Sequence, residues 1–250
     1  MNRFIKLARH WVLAFIYPRP FVGMFYLPRF FFHWFRYSRS SDAEKITMLD
    51  LQPCLGDWST HTPFDAHYFY QGAWLARKVR LFNINKHVDI GSSVLTMSVL
   101  SAHVDTTFVD YRPLKVTLPG LTSISGDILD LPFPDESVES LSCLHVIEHI
   151  GLGRYGDPIE PLGSRKAASE LQRVVKPGGK LFLSLPIGRE RICFNAHRVH
   201  STSSVLKMFP KMHLTEFSYV DDNGSLHSDT PIELANSLEY GCGLFLFEKQ

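Results

Sequence analysis

From residue 86 onward, short apolar runs alternate with segments of helical periodicity, and this alternation constrains the fold more than any other feature of the chain. The runs with the composition of buried strands are HVDIGS, TTFVD, LTSISGD, VESLSCLHV and KLFLSLPI. The helical segments among and after them are SVLTMSVLSAHV, SRKAASELQRVVKPGG and STSSVLKMF. Two more strand-like runs, LTEFSYVDD and CGLFLFEKQ, follow with no helix directly joining them. The pattern predicts an α/β domain with a doubly wound, mostly parallel sheet and an antiparallel finish.

Composition divides the chain into three segments. Residues 1–41 form a basic, aromatic extension, residues 42–84 a helical lead-in or cap, and residues 85–250 the alternating domain. In the lead-in, Thr62 is the expected N-cap of a helix and Pro63 its first residue. The four cysteines are far apart and show no C-x-x-C pairing. They indicate reduced thiols, which favours a cytoplasmic location.

The first forty residues carry seven Lys or Arg and no acid, so the remainder holds 26 − 7 = 19 basic against 25 acidic residues. No apolar run in this extension reaches the ~20 residues of a spanning helix, and no secretory cleavage site is evident. Interleaved arginines and aromatic rings suit a segment that lies on the inner face of an anionic membrane. The other interpretation is a subdomain that packs on the core or on a partner subunit. The net charge of +1 gives no case for a nucleic-acid partner.

Polar or small residues end each of the first four predicted strands. They are Asp89 with Gly91, Asp110, Gly126 with Asp127, and His145. Parallel sheets bind ligands at the carboxyl ends of their strands, where these residues are expected to meet. Asp110 follows Gly91 by 19 residues, close to the spacing at which an acid reaches a ribose diol.

Four stretches resemble successive motifs of the class I S-adenosylmethionine-dependent methyltransferases. They are VDIGSS, FVD, SGDILDLPFPDESVESLSCLHVIEHI and LQRVVKPGGKLFLSLP. The resemblance spans residues 85–250 and implies a Rossmann-like sheet of seven strands, the last antiparallel, with S-adenosylmethionine as cofactor. The chain departs from the family's glycine-rich loop, since Ser93 and Leu95 stand where further glycines are usual.

The same resemblance implies roles for individual residues. Asp89 and Gly91 would meet the methionine end of the cofactor. Asp110 would accept the ribose hydroxyls. Asp127 would bind the adenine amino group, with Ile128 against the ring. HVIEHIGLGRYGDPI and FDAHYFYQGAW also resemble a smaller methyltransferase-like group associated with surface-glycan biosynthesis, which implies a sugar or glycan hydroxyl as acceptor.

His145, Glu148 and His149 spell H-x-x-E-H, and three chemical interpretations stand open. A metal-dependent hydrolase would use the two imidazoles as ligands, but it needs a sustained helix, and glycines follow within eight residues of His149. A methyltransferase would use His149 or His145 as the base that takes the acceptor proton. Some relatives instead bind a divalent ion through an E-x-x-E-H cluster and a distant histidine. In this chain His145 stands where the first Glu would be, and His197 or His200 would be the distant ligand of Mg²⁺ or Mn²⁺. A purely structural role, in which Glu148 and His149 brace a short helix, is the remaining possibility.

Further candidate substrate residues flank this motif. His67 and Tyr70 lie on the lead-in helix, and Arg198 and His200 follow the fifth strand. The leading hypothesis is O-methylation of a sugar-type acceptor, within polysaccharide biosynthesis. The alternatives are a non-catalytic, membrane-associated scaffold that retains the fold and a metal-dependent hydrolase.

Overall fold

The computed structural model describes residues 8, 11, 12 and 22–250. The chain forms two compact units, Met1–Phe64 and Asp65–Gln250. The expected lead-in of residues 42–84 is therefore divided between the two units. Much of the expected extension, at residues 1–7, 9–10 and 13–21, lies outside the described residues.

The first unit contains helix α1, Val22–Ser38, and a 3-10 turn at Met48–Asp50. Helix α1 exposes many large apolar side chains: Met24, Phe25, Tyr26, Phe31, Phe32, Phe35 and Tyr37. The guanidinium of Arg29 lies 3.8 Å from the ring centre of Trp58, and that of Arg39 lies 3.8 Å from Phe35. None of the helices described combines the length and the hydropathy needed to cross a bilayer.

The second unit is built on one large sheet. Its strands are β1 (Lys86–Ile90), β2 (Asp105–Asp110), β3 (Leu121–Ser125), β4 (Val138–Leu144), β5 (Val175–Ile187), β8 (Met212–Val220), β9 (Leu226–His227) and β10 (Gly241–Lys249). Their order across the sheet is β3-β2-β1-β4-β5-β10-β8-β9. Strands β1 to β5 pair in parallel, and β10 runs antiparallel to both β5 and β8. The predicted doubly wound, mostly parallel sheet with an antiparallel last strand is confirmed, with two-residue β9 as an eighth strand.

Helices cover both faces of this sheet. They are α2 (Ala66–Leu81), α3 (Val94–Leu100), α4 (Gly163–Val174) and α5 (Thr202–Met208). One hydrophobic cluster includes apolar residues of α4 and α5, and a second includes those of α2 and α3. Between β5 and α5, strands β6 (Arg191–Cys193) and β7 (His197–Val199) form a separate hairpin. Two 3-10 helices, Ile147–His149 and Ile232–Ser237, complete the unit.

Two boundaries differ from the sequence prediction. Helix α2 begins at Ala66 because Asp65, not Thr62, is its N-cap: the Asp65 carboxylate accepts a hydrogen bond from the Tyr68 N–H at 3.2 Å. Strand β5 begins at Val175, where Val175 already pairs with Val138, so the Pro177–Gly179 segment lies inside the strand and does not simply end α4.

Gly120, directly before β3, packs so closely against Ser101 that it leaves no space for a side chain. Its φ is +75°, and an added Cβ would lie 2.3 Å from the Ser101 carbonyl oxygen. Gly178 has nearly the same φ, +73°, but open space around the added Cβ. We expect Gly178→Ala to cost about 1–2 kcal/mol of unfolding free energy from backbone strain alone. Gly120→Ala should cost about 1–3 kcal/mol more because the backbone must also move. Urea denaturation of the two variants measures the difference, and equal losses would contradict the packing described.

Candidate active site

The carboxyl ends of β1, β2 and β4 enclose a first cavity of about 370 Å³. Gly91, Asp110, Asp127 and Ile128 line it. His145 and His149 also line it, as does the loop of residues 155–160. The ends of consecutive parallel strands meet at one edge of the sheet, which is why residues so distant in sequence share this wall.

Of the four carboxylates that line the first cavity, those of Asp157 and Glu160 accept hydrogen bonds through both oxygens, whereas those of Asp110 and Asp127 are half engaged. Asp110 Oδ1 accepts a hydrogen bond from the Arg112 N–H at 2.7 Å, and Asp127 Oδ1 accepts one from the Leu129 N–H at 2.9 Å. Neither Oδ2 atom accepts a hydrogen bond from any residue that the structure describes. Both acids are thus held in place through one oxygen and keep the other for a ligand.

Gly91 keeps the floor of the first cavity open. Its φ is +62°, and its N–H donates to the Val109 carbonyl at 2.8 Å. An added Cβ would lie 3.4 Å from Val146 Cγ1 and 3.6 Å from Asp110 Oδ2. A side chain here would take an unfavourable backbone conformation and would stand beside the ligand oxygen of Asp110.

Asp89 is not on the cavity wall. It is fully buried and accepts hydrogen bonds from the Ser142 hydroxyl and from the Ser92 N–H at 3.0 Å. Since Ser142 donates to Asp89, its oxygen must accept from His87 Nε2, 2.8 Å away. His87 Nδ1 then accepts from the Ser140 hydroxyl at 2.7 Å. Burial raises the pKa of Asp89 to about 6 and lowers the pKa of His87 to about 3, so the imidazole is neutral.

The H-x-x-E-H motif forms a tight corner and not a sustained helix. Only one 3-10 turn, Ile147–His149, follows β4, and His145 takes a left-handed φ of +56°. His145 Nδ1 lies 2.8 Å from Glu148 Oε1, and the Glu148 side chain is completely buried. Burial alone would lower the pKa of His145, but the Cys242 sulfur and the Glu148 carboxylate raise it to about 10. Burial raises the pKa of Glu148, whereas His145 more than offsets this, leaving a net lowered value. The two form a buried ion pair.

His149 is held as a neutral imidazole with a defined tautomer. Its Nδ1 lies 2.6 Å from the Ala196 carbonyl oxygen, which can only accept, so the proton sits on Nδ1. Its Nε2 is therefore unprotonated and lies 3.6 Å from Glu148 Oε1. Burial lowers the pKa of His149, partly offset by Glu148. If His149 Nε2 takes up a proton, the nearby Glu148 carboxylate stabilises the resulting imidazolium.

A second cavity, of about 520 Å³, lies on the other side of the same two histidines. It is lined by His67 and Tyr68 of α2, by Glu148, His197 and Tyr240, and by Arg154. The ring of His145 stacks against the rings of His67 and Tyr68, at centroid distances of 5.5 and 5.3 Å. Tyr240 contacts His67 and His197 at 5.4 and 5.3 Å. His145 and His149 line both cavities and so form the wall between them.

Of the residues expected to bind substrate, the structure places one on the second cavity. His67 lines it, and burial lowers the pKa of His67 to about 4. Tyr70 packs its ring against Phe69 and beside the core cluster of α2. Arg198 and His200 line a third cavity, between α4, α5 and the β6–β7 hairpin.

Arg198 binds the backbone of the corner. The side chain is buried, and Nη1 donates to the Ile150 carbonyl at 2.7 Å and to the Glu148 carbonyl at 3.4 Å. Nη2 lies 3.4 Å from the carbonyl oxygens of Glu160 and Pro161. Arg198 thus ties the turn that carries Glu148 and His149 to the start of α4, and it positions the corner.

The four residues expected to hold a metal do not form one ligand set. His145 Nδ1 is already engaged by Glu148, and the rings of His149 and His197 lie 6.4 Å apart. Among the described residues, the group whose ligand atoms lie within 4.8 Å of one another is His67, His145 and Cys242. The His67 and His145 rings stack at an angle of 17°, so their in-plane lone pairs do not converge on a common point.

Sequence reasoning missed Tyr240 and Arg154. It placed Tyr68 on the lead-in helix but favoured Tyr70, two residues further along, as the substrate residue. Tyr240 precedes β10, and only the reversed direction of that strand brings it to this edge of the sheet. Arg154 donates to the Ala196 carbonyl at 3.1 Å, a contact across 42 positions that no local pattern signals.

A family described as "Caenorhabditis protein of unknown function, DUF268" matches residues 135–240, fewer than half of the chain. That span contains the histidine corner, Arg198 and Tyr240. A search of curated protein sequences finds no match.

Solved structures resemble most of the chain. The N-methyltransferase NodS from Bradyrhizobium japonicum WM9, in complex with S-adenosylhomocysteine, is 14% identical, with a TM-score of 0.50 over 73% of this chain and 87% of its own. YcgJ from Bacillus subtilis is 16% identical, with a TM-score of 0.50 over 73% and 99%. The [4+2]-cyclase SpnF is 12% identical, with a TM-score of 0.50 over 70% and 80%. The chain therefore has the Rossmann-like fold of the class I methyltransferases, a fold that in SpnF serves a different reaction.

Proposed function

We propose that the protein is an S-adenosylmethionine-dependent methyltransferase that methylates a hydroxyl group of a sugar or glycan-type acceptor. One observation carries the proposal: His145 and His149 form the wall between two cavities that differ in character. The first cavity offers two half-engaged carboxylates and apolar surface. The second is lined by imidazoles, phenols and a guanidinium, together with the carboxylates of Asp65, Glu148, Asp221 and Asp222. Group transfer needs two such binding spaces that meet at a reactive side chain.

The residues of the first cavity fit a nucleoside cofactor. Asp110 Oδ2 is available to the hydroxyls of a ribose, and Asp127 Oδ2 to an amino group at the far end. Ile128 offers an apolar face to an adenine ring, and Gly91 leaves room for the chain that joins ribose to sulfonium. S-adenosylmethionine, when bound, supplies a methyl group activated by its positive sulfur. NodS, which shares the fold, was solved with S-adenosylhomocysteine.

His149 is the proposed general base. Its Nε2 is unprotonated and lies at the junction of the cavities, where an acceptor hydroxyl would approach from the second one. Removal of that proton makes the oxygen a better nucleophile. Glu148, 3.6 Å away, stabilises the imidazolium that forms. His145 is already protonated by its pairing with Glu148, so it serves as a positioning residue and not as the base.

The second cavity supports a small polyhydroxylated acceptor. The phenolic hydroxyls of Tyr68 and Tyr240 have no hydrogen-bond partner among the residues with described coordinates. His67 and His197 are held neutral by burial, so each offers one donor and one acceptor. Alternating donors and acceptors around a cavity of this size match a sugar better than a flat heteroaromatic ring. The association with polysaccharide biosynthesis rests on this match.

The four side chains expected to hold a metal do not suit a hard divalent cation. Mg²⁺ and Mn²⁺ prefer oxygen ligands, whereas the four expected ligands offer three imidazoles and one carboxylate already paired with His145. The same pairing, together with the single 3-10 turn, disfavours a metal-dependent hydrolase.

We also propose that the first unit attaches peripherally to an anionic membrane on the cytoplasmic side. Helix α1 exposes Phe25 and Phe32 at 83% and 60% of their surface, and it includes Arg29 and Arg36. No acidic residue occurs in the first forty positions. Rings that insert at headgroup depth beside cations that bind lipid phosphates are the required combination.

Cofactor binding separates an enzyme from a non-catalytic scaffold that keeps the fold. We expect S-adenosylhomocysteine to bind the wild-type protein in a calorimetric titration. Asp110→Ala should weaken binding at least ~10-fold, because it removes the acceptor for the ribose hydroxyls. Asp105→Ala, at the exposed start of the same strand, is the matched control and should leave the affinity unchanged. Absence of binding to the wild-type protein would favour the scaffold.

Removal of the base should slow transfer without affecting cofactor affinity. We expect His149→Gln to lower kcat by at least ~100-fold, whereas His103→Gln, at an exposed position, should retain full activity. Because a base works only when unprotonated and the pKa of His149 is lowered, wild-type activity should rise with pH below 6.5 and level off above it. The activity of the variant should lack that plateau and continue to rise at alkaline pH.

A chelator should have no effect on the activity of either protein. If a chelator abolished activity and Mg²⁺ restored it, the metal-free assignment would be overturned.

Membrane attachment should depend on the cationic, aromatic unit. We expect the full chain to co-sediment with vesicles containing anionic lipid but not with neutral vesicles. Deletion of residues 1–40 should abolish this, and the triple substitution Arg29→Gln, Arg36→Gln, Arg39→Gln should weaken it because each cation contributes ~1 kcal/mol. The matched control neutralises exposed Arg80, Lys86 and Lys115 of the second unit. Equal losses in both triple variants would indicate a net-charge effect and contradict the proposed surface.

A further inference from the structure

The third cavity, of about 770 Å³, is strongly cationic. Five basic side chains line it: Arg165, Arg191, Arg198, Lys207 and Lys211. Its single acidic lining residue is Glu190. Beyond residue 40 the chain holds 19 basic and 25 acidic residues, so its net charge there is negative. The positive charge of the third cavity is therefore a local excess.

The positive charge of the third cavity is not neutralised from within. Arg165, Lys207 and Lys211 have no carboxylate within ion-pair distance among residues 22–250. Both oxygens of Glu190 accept from the hydroxyl of Ser204, and Oε2 also accepts from that of Ser201. The field in the cavity therefore favours an anion.

A buried, unpartnered imidazole faces the same space. His200 lines the third cavity, its exposed fraction is 8%, and its Nε2 has no hydrogen-bond partner within the described part of the chain. A buried polar ring that lacks partners in the protein is costly unless something else supplies them. The hydroxyls of Ser164 and Ser204 border the same space, but they already donate to the Ile147 carbonyl and to Glu190, so the unpartnered His200 nitrogen and the cations are the groups left for a ligand.

The third cavity adjoins the second. The Arg191 guanidinium, which lines the third, lies 6.0 Å from the ring centre of Tyr240, which lines the second. The backbone N–H of His200 donates to the backbone carbonyl of Pro186, which lines the second cavity, at 3.1 Å. The two cavities are therefore neighbours, and the contact between Arg191 and Tyr240 lies between them.

We propose that the third cavity binds the diphosphate group of an ester whose organic part extends into the second cavity. Arginine forks and lysine ammonium groups are the usual partners of phosphate oxygens, and a diphosphate carries enough negative charge for several of them. The anion site stands on the cavity itself. The identity of the organic part, a sugar positioned for methylation, rests on the proposed function.

Titration with inorganic pyrophosphate tests the site directly. We expect the full-length protein to bind pyrophosphate by calorimetry, more weakly as ionic strength rises. The double substitution Lys207→Gln, Lys211→Gln should weaken binding by at least ~10-fold. The matched double substitution Lys86→Gln, Lys115→Gln removes the same charge from exposed positions outside the cavity and should leave binding unchanged. No binding by the wild-type protein, or the same loss in both variants, would overturn the proposal.

Two further measurements separate this site from the proposed activity and identify the ester. The wild-type protein and the two double variants should bind S-adenosylhomocysteine with equal affinity. If the wild-type protein binds pyrophosphate but not S-adenosylhomocysteine, the anion site stands and the methyltransferase proposal fails. Uridine diphosphate and farnesyl diphosphate then replace pyrophosphate as probes. Tighter binding of the first indicates a nucleotide ester, and tighter binding of the second a lipid-linked one. Weaker binding of both than of pyrophosphate would contradict a site for a diphosphate ester.

Discussion

The buried ion pair between His145 and Glu148 is the contact on which the arrangement of the site depends. A completely buried carboxylate is costly unless a cation and hydrogen bonds compensate for its lost hydration. His145 supplies the positive charge and one hydrogen bond, to Glu148 Oε1, whereas Oε2 has no hydrogen-bond partner among the described residues; His145 does this from a left-handed backbone conformation at the end of β4. That conformation ends the strand abruptly and starts the 3-10 turn. As a result, His149 is placed beside Glu148 and at the boundary of two cavities.

The surrounding structure stabilises this corner from outside. Arg198 binds its carbonyl oxygens, and the Ala196 carbonyl fixes the tautomer of His149. Both contacts come from the β6–β7 hairpin, whose two strands pair with each other and not with the main sheet. The hairpin therefore holds the corner in place through these hydrogen bonds.

A second buried polar network underlies the first cavity. Hydrogen bonds run from Ser140 through His87 and Ser142 to Asp89, each with a donor direction fixed by its neighbour. Such a network is stable only when every member is satisfied, so it specifies the register of β1 against β4. Asp89 consequently supports the cavity floor from beneath, although the resemblance to the class I methyltransferases implied direct contact with the cofactor.

Much of the fold followed from local pattern, because strands and helices with one buried face leave a periodic trace in the sequence. The edge residues Gly91, Asp110 and Asp127 were predictable for a related reason: parallel strands end at a common edge. The sequence pattern could not show which polar side chains are buried or which way they point. Nothing local distinguishes Asp89, which points into the core, from Asp110, which lines the cavity. Arg198 offers the same charge whether it meets a substrate or five main-chain and hydroxyl oxygens, so its role was visible only in three dimensions.

The antiparallel direction of β10 makes the second cavity depend on the last strand of the chain. This strand follows all others in the chain, yet it lies between β5 and β8 in the sheet. It is the strand through which β8 joins the main sheet, and it begins directly after Tyr240 of the second cavity. The residues that line the first cavity lie between positions 90 and 160, whereas those of the second come from positions 65 to 240. The first cavity is thus built from one continuous part of the chain, while the second needs contacts between distant parts, whose loop closure has an entropic cost.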